Sequence, residues 1–409
     1  MSDRRTPVEL GRAARGLTAM GNTARLLDPC SIIASAEIAS GTAGLVDEGL
    51  RGRLARLVEG LRGGAEFTPD QAAATRRQLV RLLARRLAIA HDVARHPEIL
   101  EEVIADPMFV IGFPRTGTSI QQALLAADPA NRGVVAWQVH EPSPPPGEQP
   151  VTEIRKAAAA RVVDHFCERC PGLLTLHPYW DGGAETLVED EEILTLALFD
   201  NYPVVLCDAP SLAIRTGEPD FTQAYEFLRL FLQHQQWRRP RRRWVLKGIE
   251  HQRHLPELFR AFPDARCLFP HREPGAFLPS SLAIAAVVYD AITDGALDRQ
   301  TLAAGYLADF KQRIDAVMAD PCMDDPRVTH LRFDRFTADP IAALRDCYVA
   351  WGFAWTAEGE KAMRAWLDDP GNASDRYGRH HYTFEPFGVN WAELGPPFES
   401  YRARFLGAD

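Results

Sequence analysis

Met108-Phe109-Val110-Ile111-Gly112-Phe113-Pro114-Arg115-Thr116-Gly117-Thr118-Ser119 is the stretch on which the reading of this chain turns. Four apolar residues in a row, 108–111, suit a short parallel strand buried on both faces. A turn rich in small residues follows, and then a helix over 117–127. Such a turn lets backbone N–H groups close around an anion, and the helix N-terminus adds partial positive charge. Thr118 and Ser119 add hydroxyl donors, and Arg115 adds a planar cationic fork. The glycine spacing matches the nucleotide-triphosphatase loop Gly-x-x-x-x-Gly-Lys-Ser/Thr, but Thr118 stands where that loop carries its lysine. The missing lysine would contact the β and γ phosphates, so the substitution disfavours ATP or GTP hydrolysis. It fits a ligand with one bridging anhydride.

Downstream, further strand candidates lie over 134–139, 204–207, 243–247, 266–270 and 328–333. Helical patterns over 221–236, 255–262, 274–289 and 341–351 alternate with them. Strand–helix alternation implies an α/β fold: a P-loop-like parallel sheet flanked by helices. Upstream, residues 1–105 read as an N-terminal helical annex, and 106–409 as the α/β domain. In the annex, Thr68-Pro69-Asp70-Gln71 is a helix start: Thr68 caps, Pro69 suits the first helical position and Gln71 reaches back. The helix it opens runs to about Arg95, with Leu79, Leu82, Leu83 and Leu87 on its apolar side.

The 409 residues are 46% hydrophobic and 25% charged, a globular balance. A net charge of −9 argues against general nucleic-acid binding, which needs a basic footprint. No sequence run approaches the roughly 20 apolar residues of a spanning helix, and the first residues do not resemble a signal peptide. Seven scattered cysteines, with a lone Cys167-Glu168-Arg169-Cys170, read as ordinary reduced thiols; a cytoplasmic location is expected.

Two further segments carry chemistry. Trp244-Val245-Leu246-Lys247-Gly248-Ile249-Glu250-His251 ends a strand on Lys247, placed to meet an oxygen that gains charge as a bond breaks. His251, four residues on, is a candidate general base, since an unperturbed imidazole titrates near neutral pH. The run Arg238–Arg243, with Pro240 inside it, reads as a solvated loop. The acidic run Glu185, Glu189, Asp190, Glu191 and Glu192 suits a helix N-terminus.

The loop at 112–119 resembles the 5′-phosphosulfate loop of sulfotransferases that use 3′-phosphoadenylyl sulfate (PAPS), in the bacterial branch that writes it Pro-Arg-Ser/Thr-Gly-Thr. The resemblance covers about residues 26–391. It implies that Arg115, Thr116, Gly117, Thr118 and Ser119 hold the donor's 5′ side. It also supplies a second signature, Pro270-His271-Arg272-Glu273-Pro274 followed by Pro279-Ser280-Ser281, which assigns Arg272 and Ser280 to the 3′-phosphate. The chain departs from the branch in places. Gly248-Ile249 replaces Ser-Pro after the lysine. Trp137-Gln138 replaces Trp-Glu, leaving Glu141 as the nearest carboxylate to serve as base. Near the C-terminus Arg379-His380-His381-Tyr382 has His381 in place of an arginine, and the resemblance gives Arg379 a place in a segment that closes over the nucleotide.

Residues and resemblance together imply in-line transfer of a sulfuryl group from PAPS to a hydroxyl of a small molecule, lipid or sugar, releasing adenosine 3′,5′-bisphosphate. Arg115, Lys247, His251 and Glu141 are the candidate catalytic residues, and no metal is expected. Other readings stay open: a sulfotransferase fold repurposed for sulfation-activated elimination or cyclisation, a non-PAPS donor, a non-catalytic nucleotide binder, or a phosphate-loop kinase. Neither the acceptor nor the oligomeric state can be read from the sequence. Tyr179, Trp180 and Phe384 are guesses for the acceptor pocket.

Overall fold

A computed structural model describes residues 25–64, 67–199, 220–293, 295, 298–395 and 398–407. Among them, five parallel strands form one sheet in the order β2-β3-β1-β4-β5. They are β1 (Met108–Val110), β2 (Asn131–Gly133), β3 (Arg243–Lys247), β4 (Arg266–His271) and β5 (Val328–Arg332). The strand expected at 204–207 lies outside the described residues.

The continuous apolar strands are buried on both faces because successive side chains point to opposite sides. Phe109, Leu246, Cys267 and Phe269 enter one core, packed with the helices Phe221–Gln236, Leu255–Ala261, Pro274–Thr293 and Arg299–Ala319. Met108, Val110, Val245 and Leu268 enter the other, packed with Thr118–Ala127 and Pro340–Trp351. A third core joins the annex helices Pro29–Ser40, Glu48–Gly64 and Pro69–Arg95. The last of these starts on the expected capping box at Thr68 and Gln71, and it sends Leu82 and Ile89 into the main core.

A polar tie reinforces that junction. Gln233, His234, Gln235 and Gln236 end the helix Phe221–Gln236, and all four are buried. Buried polar groups cost free energy unless they find partners, and these do. Gln233 donates to Leu100 O and Glu102 O, Gln236 donates to Glu102 Oε2, and Gln235 donates to Pro142 O. His234 Nε2 lies 2.9 Å from Asp92 Oδ2 on the annex helix.

One expected element is corrected. Residues 134–139 do not form a strand: β2 stops at Gly133 and a short helix, Ala136–His140, follows. The Gln138 side chain accepts the Val135 N–H (3.0 Å), and Ala136 N donates to Thr186 O (2.9 Å), so the backbone is turned away from β3. The helix Pro274–Thr293 is a second difference. Over Pro274–Ala291 it is long and apolar enough to cross a membrane, yet half of that window is buried inside the protein.

Sheet register fixes where the loops emerge. Val110 pairs with Lys247 on one side and with Leu268 on the other, so the carboxyl ends of β1, β3 and β4 open onto one edge. β1 lies at the centre, with β3 and β4 leaving in opposite directions, the position at which open α/β sheets bind ligands.

Close packing at this edge requires glycine at 112. A Cβ there would sit 2.5 Å from Pro270 Cγ and 2.8 Å from Thr116 Oγ1. Gly112→Ala is expected to destabilise the fold by about 1–3 kcal/mol, as overpacking does, read from urea unfolding. A second prediction concerns acid. Burial, then the charge of Arg85, holds the His140 imidazole down to about 3. The unfolded chain therefore takes up a proton that the native state refuses. Stability from this group is complete above pH ~6.5 and is lost as pH falls from there toward 3. Between about pH 7 and pH 5 the urea midpoint should fall relative to that of His140→Gln, a comparison set against the opposite contribution of the neighbouring Glu192 carboxyl, held up to about 8.

Candidate active site

A cavity of about 640 Å³ lies over the carboxyl edge of the sheet. Its floor is the loop after β1. Arg115 has φ +67°, a conformation uncommon for a residue with a Cβ and found mainly where surrounding contacts enforce it. Gly117 has φ +92° and begins the helix Thr118–Ala127; a Cβ there would meet the Phe333 ring at 3.0 Å. Arg115, Gly117, Thr118 and Ser119 all line the cavity. Thr116 does not. It is fully buried, and its hydroxyl donates to Phe113 O (2.7 Å), so it closes the loop rather than facing a ligand.

The two arginines meet here. Arg115 Nε donates to Ser280 Oγ (2.9 Å), and Arg115 Nη2 lies 3.4 Å from Tyr382 OH. Arg272 Nη1 donates to the Arg115 carbonyl (2.7 Å), and its guanidinium lies over the Phe333 ring. Ser280 is thus bonded to Arg115 rather than to Arg272. Burial, then repulsion from Arg115, lowers the Arg272 pKa. Among the described residues neither guanidinium has a carboxylate partner; the neutral groups named above hold both. Two such cations side by side make a site for an anion.

Lys247 closes β3 at the same edge and is almost wholly buried, bonded to two residues of the cavity lining without being part of that lining itself. Its Nζ donates to Glu189 Oε1 (2.8 Å) and to Ser119 Oγ (3.1 Å). Ser119 Oγ also lies 3.2 Å from His177 Nε2. An ammonium can only donate, so Ser119 accepts from Lys247, and its hydroxyl is also in hydrogen-bond contact with His177. Burial, then the charges of Lys247 and Arg115, depresses the His177 pKa well below its ordinary value, so the ring is neutral. Glu189 and His177 both line the cavity.

His251 and Glu141 are not brought to this cavity. His251 is buried beneath β3, between Asp190 Oδ2 (2.7 Å from Nε2) and Tyr225 OH (2.9 Å from Nδ1), with its ring edge on Phe109. Burial raises the Asp190 pKa, opposed by the bond to His251. An imidazole enclosed in this way cannot receive a proton from a bound acceptor. Glu141 ends the short helix Ala136–His140, outside the cavity lining, and its carbonyl accepts from Arg155.

The acidic run explains the turn after Lys247. Glu191 Oε1 accepts the N–H groups of Ile249 (2.6 Å) and Glu250 (3.2 Å). A Cβ at Gly248 would lie 2.6 Å from His251 Nε2 and 2.8 Å from Glu191 Oε1, which accounts for glycine at that position. Glu192 lies 3.6 Å from His140; burial, then the Glu189 charge, pushes its carboxyl up to about 8.

The cavity roof comes from the C-terminal region. Arg379 lines it, mostly exposed and paired with Asp375 (2.9 Å). Arg376 and Tyr377 both bond Asp181 (2.7 and 2.8 Å), which ties this segment to the loop bearing His177. Tyr179 and Trp180 line the cavity; Phe384 does not, and stacks on Trp391 instead. The sequence offers Glu189 only as one member of an acidic run and gives His177 no role, since nothing near either one in sequence points to Lys247.

The chain matches the model of the sulfotransferase family over residues 107–357. Its structure is similar to that of the sulfotransferase STF9 from Mycobacterium avium, with a TM-score of 0.77 and 25% identity over 92% of this chain and 96% of that one. It also shares its fold with the sulfotransferase STF1 from Mycobacterium tuberculosis H37Rv, with a TM-score of 0.73 and 24% identity over 90% of this chain and 98% of that one. No curated protein matches the sequence. The parallel sheet, the glycine-containing loop at its carboxyl edge and the match over more than half of the chain place it in one family: this protein is a sulfotransferase-family member.

Proposed function

We propose that the chain transfers a sulfuryl group from PAPS to an acceptor hydroxyl. One observation carries the reading: two guanidinium groups in the cavity are held by neutral partners and stand beside a buried lysine. Arg115 and Arg272 offer charge to the donor's phosphates, with Ser280, Thr118 and the N–H groups at the start of the helix Thr118–Ala127 completing the shell. The acids in the cavity lining are already taken, Glu189 by Lys247 and Asp375 by Arg379, so the donor meets no unpaired carboxylate there. Arg379 stands at the roof, where it would contribute to closure.

PAPS supplies an activated S–O bond to a phosphate leaving group. The residues do the rest. Lys247, aimed by Ser119 and Glu189, donates to the oxygen that gains charge as that bond breaks. Ser119 is aimed in turn by neutral His177. Glu189 takes the proton of the attacking hydroxyl, replacing His251 and Glu141 in the role of base. The new bond joins the acceptor oxygen to sulfur, and the bond from sulfur to the bridging oxygen breaks.

Calorimetry should find adenosine 3′,5′-bisphosphate bound more tightly than AMP, ADP or ATP, with affinity falling about ten- to hundredfold in Arg272→Ala. Equal binding of AMP and the bisphosphate would sink the donor assignment. In turnover assays with PAPS, Lys247→Ala should lower kcat by about 10²–10³. Glu189→Gln should lower it by about 10²–10⁴, with bisphosphate affinity retained. Near-normal turnover in Glu189→Gln would return the role of base to another group.

A further inference from the structure

The cavity has two ends of opposite character, and one helix builds part of both. Ser280, bonded to Arg115, belongs to the helix Pro274–Thr293. Ile284 and Val288 follow on the same face at intervals of four residues and also line the cavity. At about 1.5 Å per residue, the wall extends about 12 Å beyond Ser280. Phe166, Leu173 and Trp180 face it from the segment that carries His177. These five residues pack as one apolar cluster, continuous with Val287 and Ala291.

This wall carries no charged side chain. The two guanidinium groups, Arg115 and Arg272, sit at the other end, and the remaining polar lining, among it Thr175, Tyr289, Asp375 and Arg379, lies outside this apolar cluster. A sugar occupying the apolar end would turn several hydroxyls toward Leu, Ile, Val and Phe side chains. Those hydroxyls would give up water and gain no partner. An apolar body would gain the burial instead. The same helix holds the membrane-like window Pro274–Ala291, half of which is not buried by the protein itself. An apolar ligand would cover part of that remaining surface.

We infer that the acceptor is an alcohol whose hydroxyl is carried on an uncharged, apolar body, with the hydroxyl at Glu189 and the body against Ile284, Val288 and Trp180. The inference rests on the reading of the anion end as the donor site, and the two are tested separately.

Three probes would be titrated into the full chain, with and without saturating adenosine 3′,5′-bisphosphate: 1-decanol, 2-naphthol and methyl β-D-glucoside. Calorimetry and tryptophan fluorescence would report binding. The expected result is binding of the two apolar alcohols at least tenfold tighter than the glucoside. Ile284→Asn and Val288→Asn should each weaken it at least tenfold while bisphosphate affinity stays unchanged. Unchanged bisphosphate affinity also shows that these variants fold. In Trp180→Phe the fluorescence response to 2-naphthol should shrink while calorimetric binding persists. Tighter binding of the glucoside, or apolar binding indifferent to both asparagine variants, overturns the inference and leaves the donor reading standing. Failure of the bisphosphate to bind overturns the donor reading, and the titrations without it still decide whether the apolar wall binds alcohols.

Discussion

The ion pair between Lys247 and Glu189 is the constraint around which the site is assembled. Lys247 leaves water almost wholly, at a cost of several kcal/mol for its charge, while Glu189 keeps an edge on the cavity. Only close geometry offsets that cost, here 2.8 Å from Nζ to Glu189 and 3.1 Å to Ser119. The requirement couples three places far apart in the chain: the end of β3, the start of the helix after β1, and the acidic turn at 189. A sheet in another register would leave a buried ammonium without its carboxylate. The parallel pairing of Val110 with Lys247 is therefore part of the chemistry as well as of the fold.

The four consecutive acids after Val188 illustrate how one local pattern serves several ends. Glu189 meets Lys247, Asp190 meets His251, Glu191 accepts the backbone of the turn after β3, and Glu192 lies beside His140. Asp190, Glu191 and Glu192 open the short helix Asp190–Thr195, where successive side chains point about 100° apart, and Glu189 precedes it in extended backbone. The run thus supports the active-site floor from several directions at once. It also accounts for Gly248, because Glu191 and His251 fill the space a side chain would occupy.

The cavity combines this polar floor with an apolar wall. The helix Pro274–Thr293 serves both, since residues four apart lie on one face: Ser280 meets the arginine and Ile284 and Val288 meet the apolar end. Closing the roof through Asp181, Arg376 and Tyr377 joins the C-terminal segment to the loop that carries His177.

Much of this is local, and so can be read along the chain. The unbroken apolar run at 108–111 and the shorter apolar stretches 244–246 and 267–270 mark buried parallel strands, and the small residues after the first mark an anion loop. Arg115 lies in the loop after one strand, Lys247 ends another and Arg272 follows a third, so the sheet's edge brings them together. What the sequence does not carry is direction and distance. His251 stands four residues after Lys247, yet the turn folds it under the strand to Asp190. Thr116 lies inside the loop, yet its hydroxyl closes the loop on Phe113. Residues 134–139 have strand composition, yet a helix forms there, with the Val135 and Ala136 N–H groups donating to Gln138 Oε1 and Thr186 O. His177 and Glu189 reach Ser119 and Lys247 across 58 residues each. Periodicity and turn chemistry are properties of neighbouring residues, so the sequence alone determined the layered sheet and its anion loop. The choice of which charged or imidazole side chain meets which depends on register and core packing, and only the tertiary structure decided it.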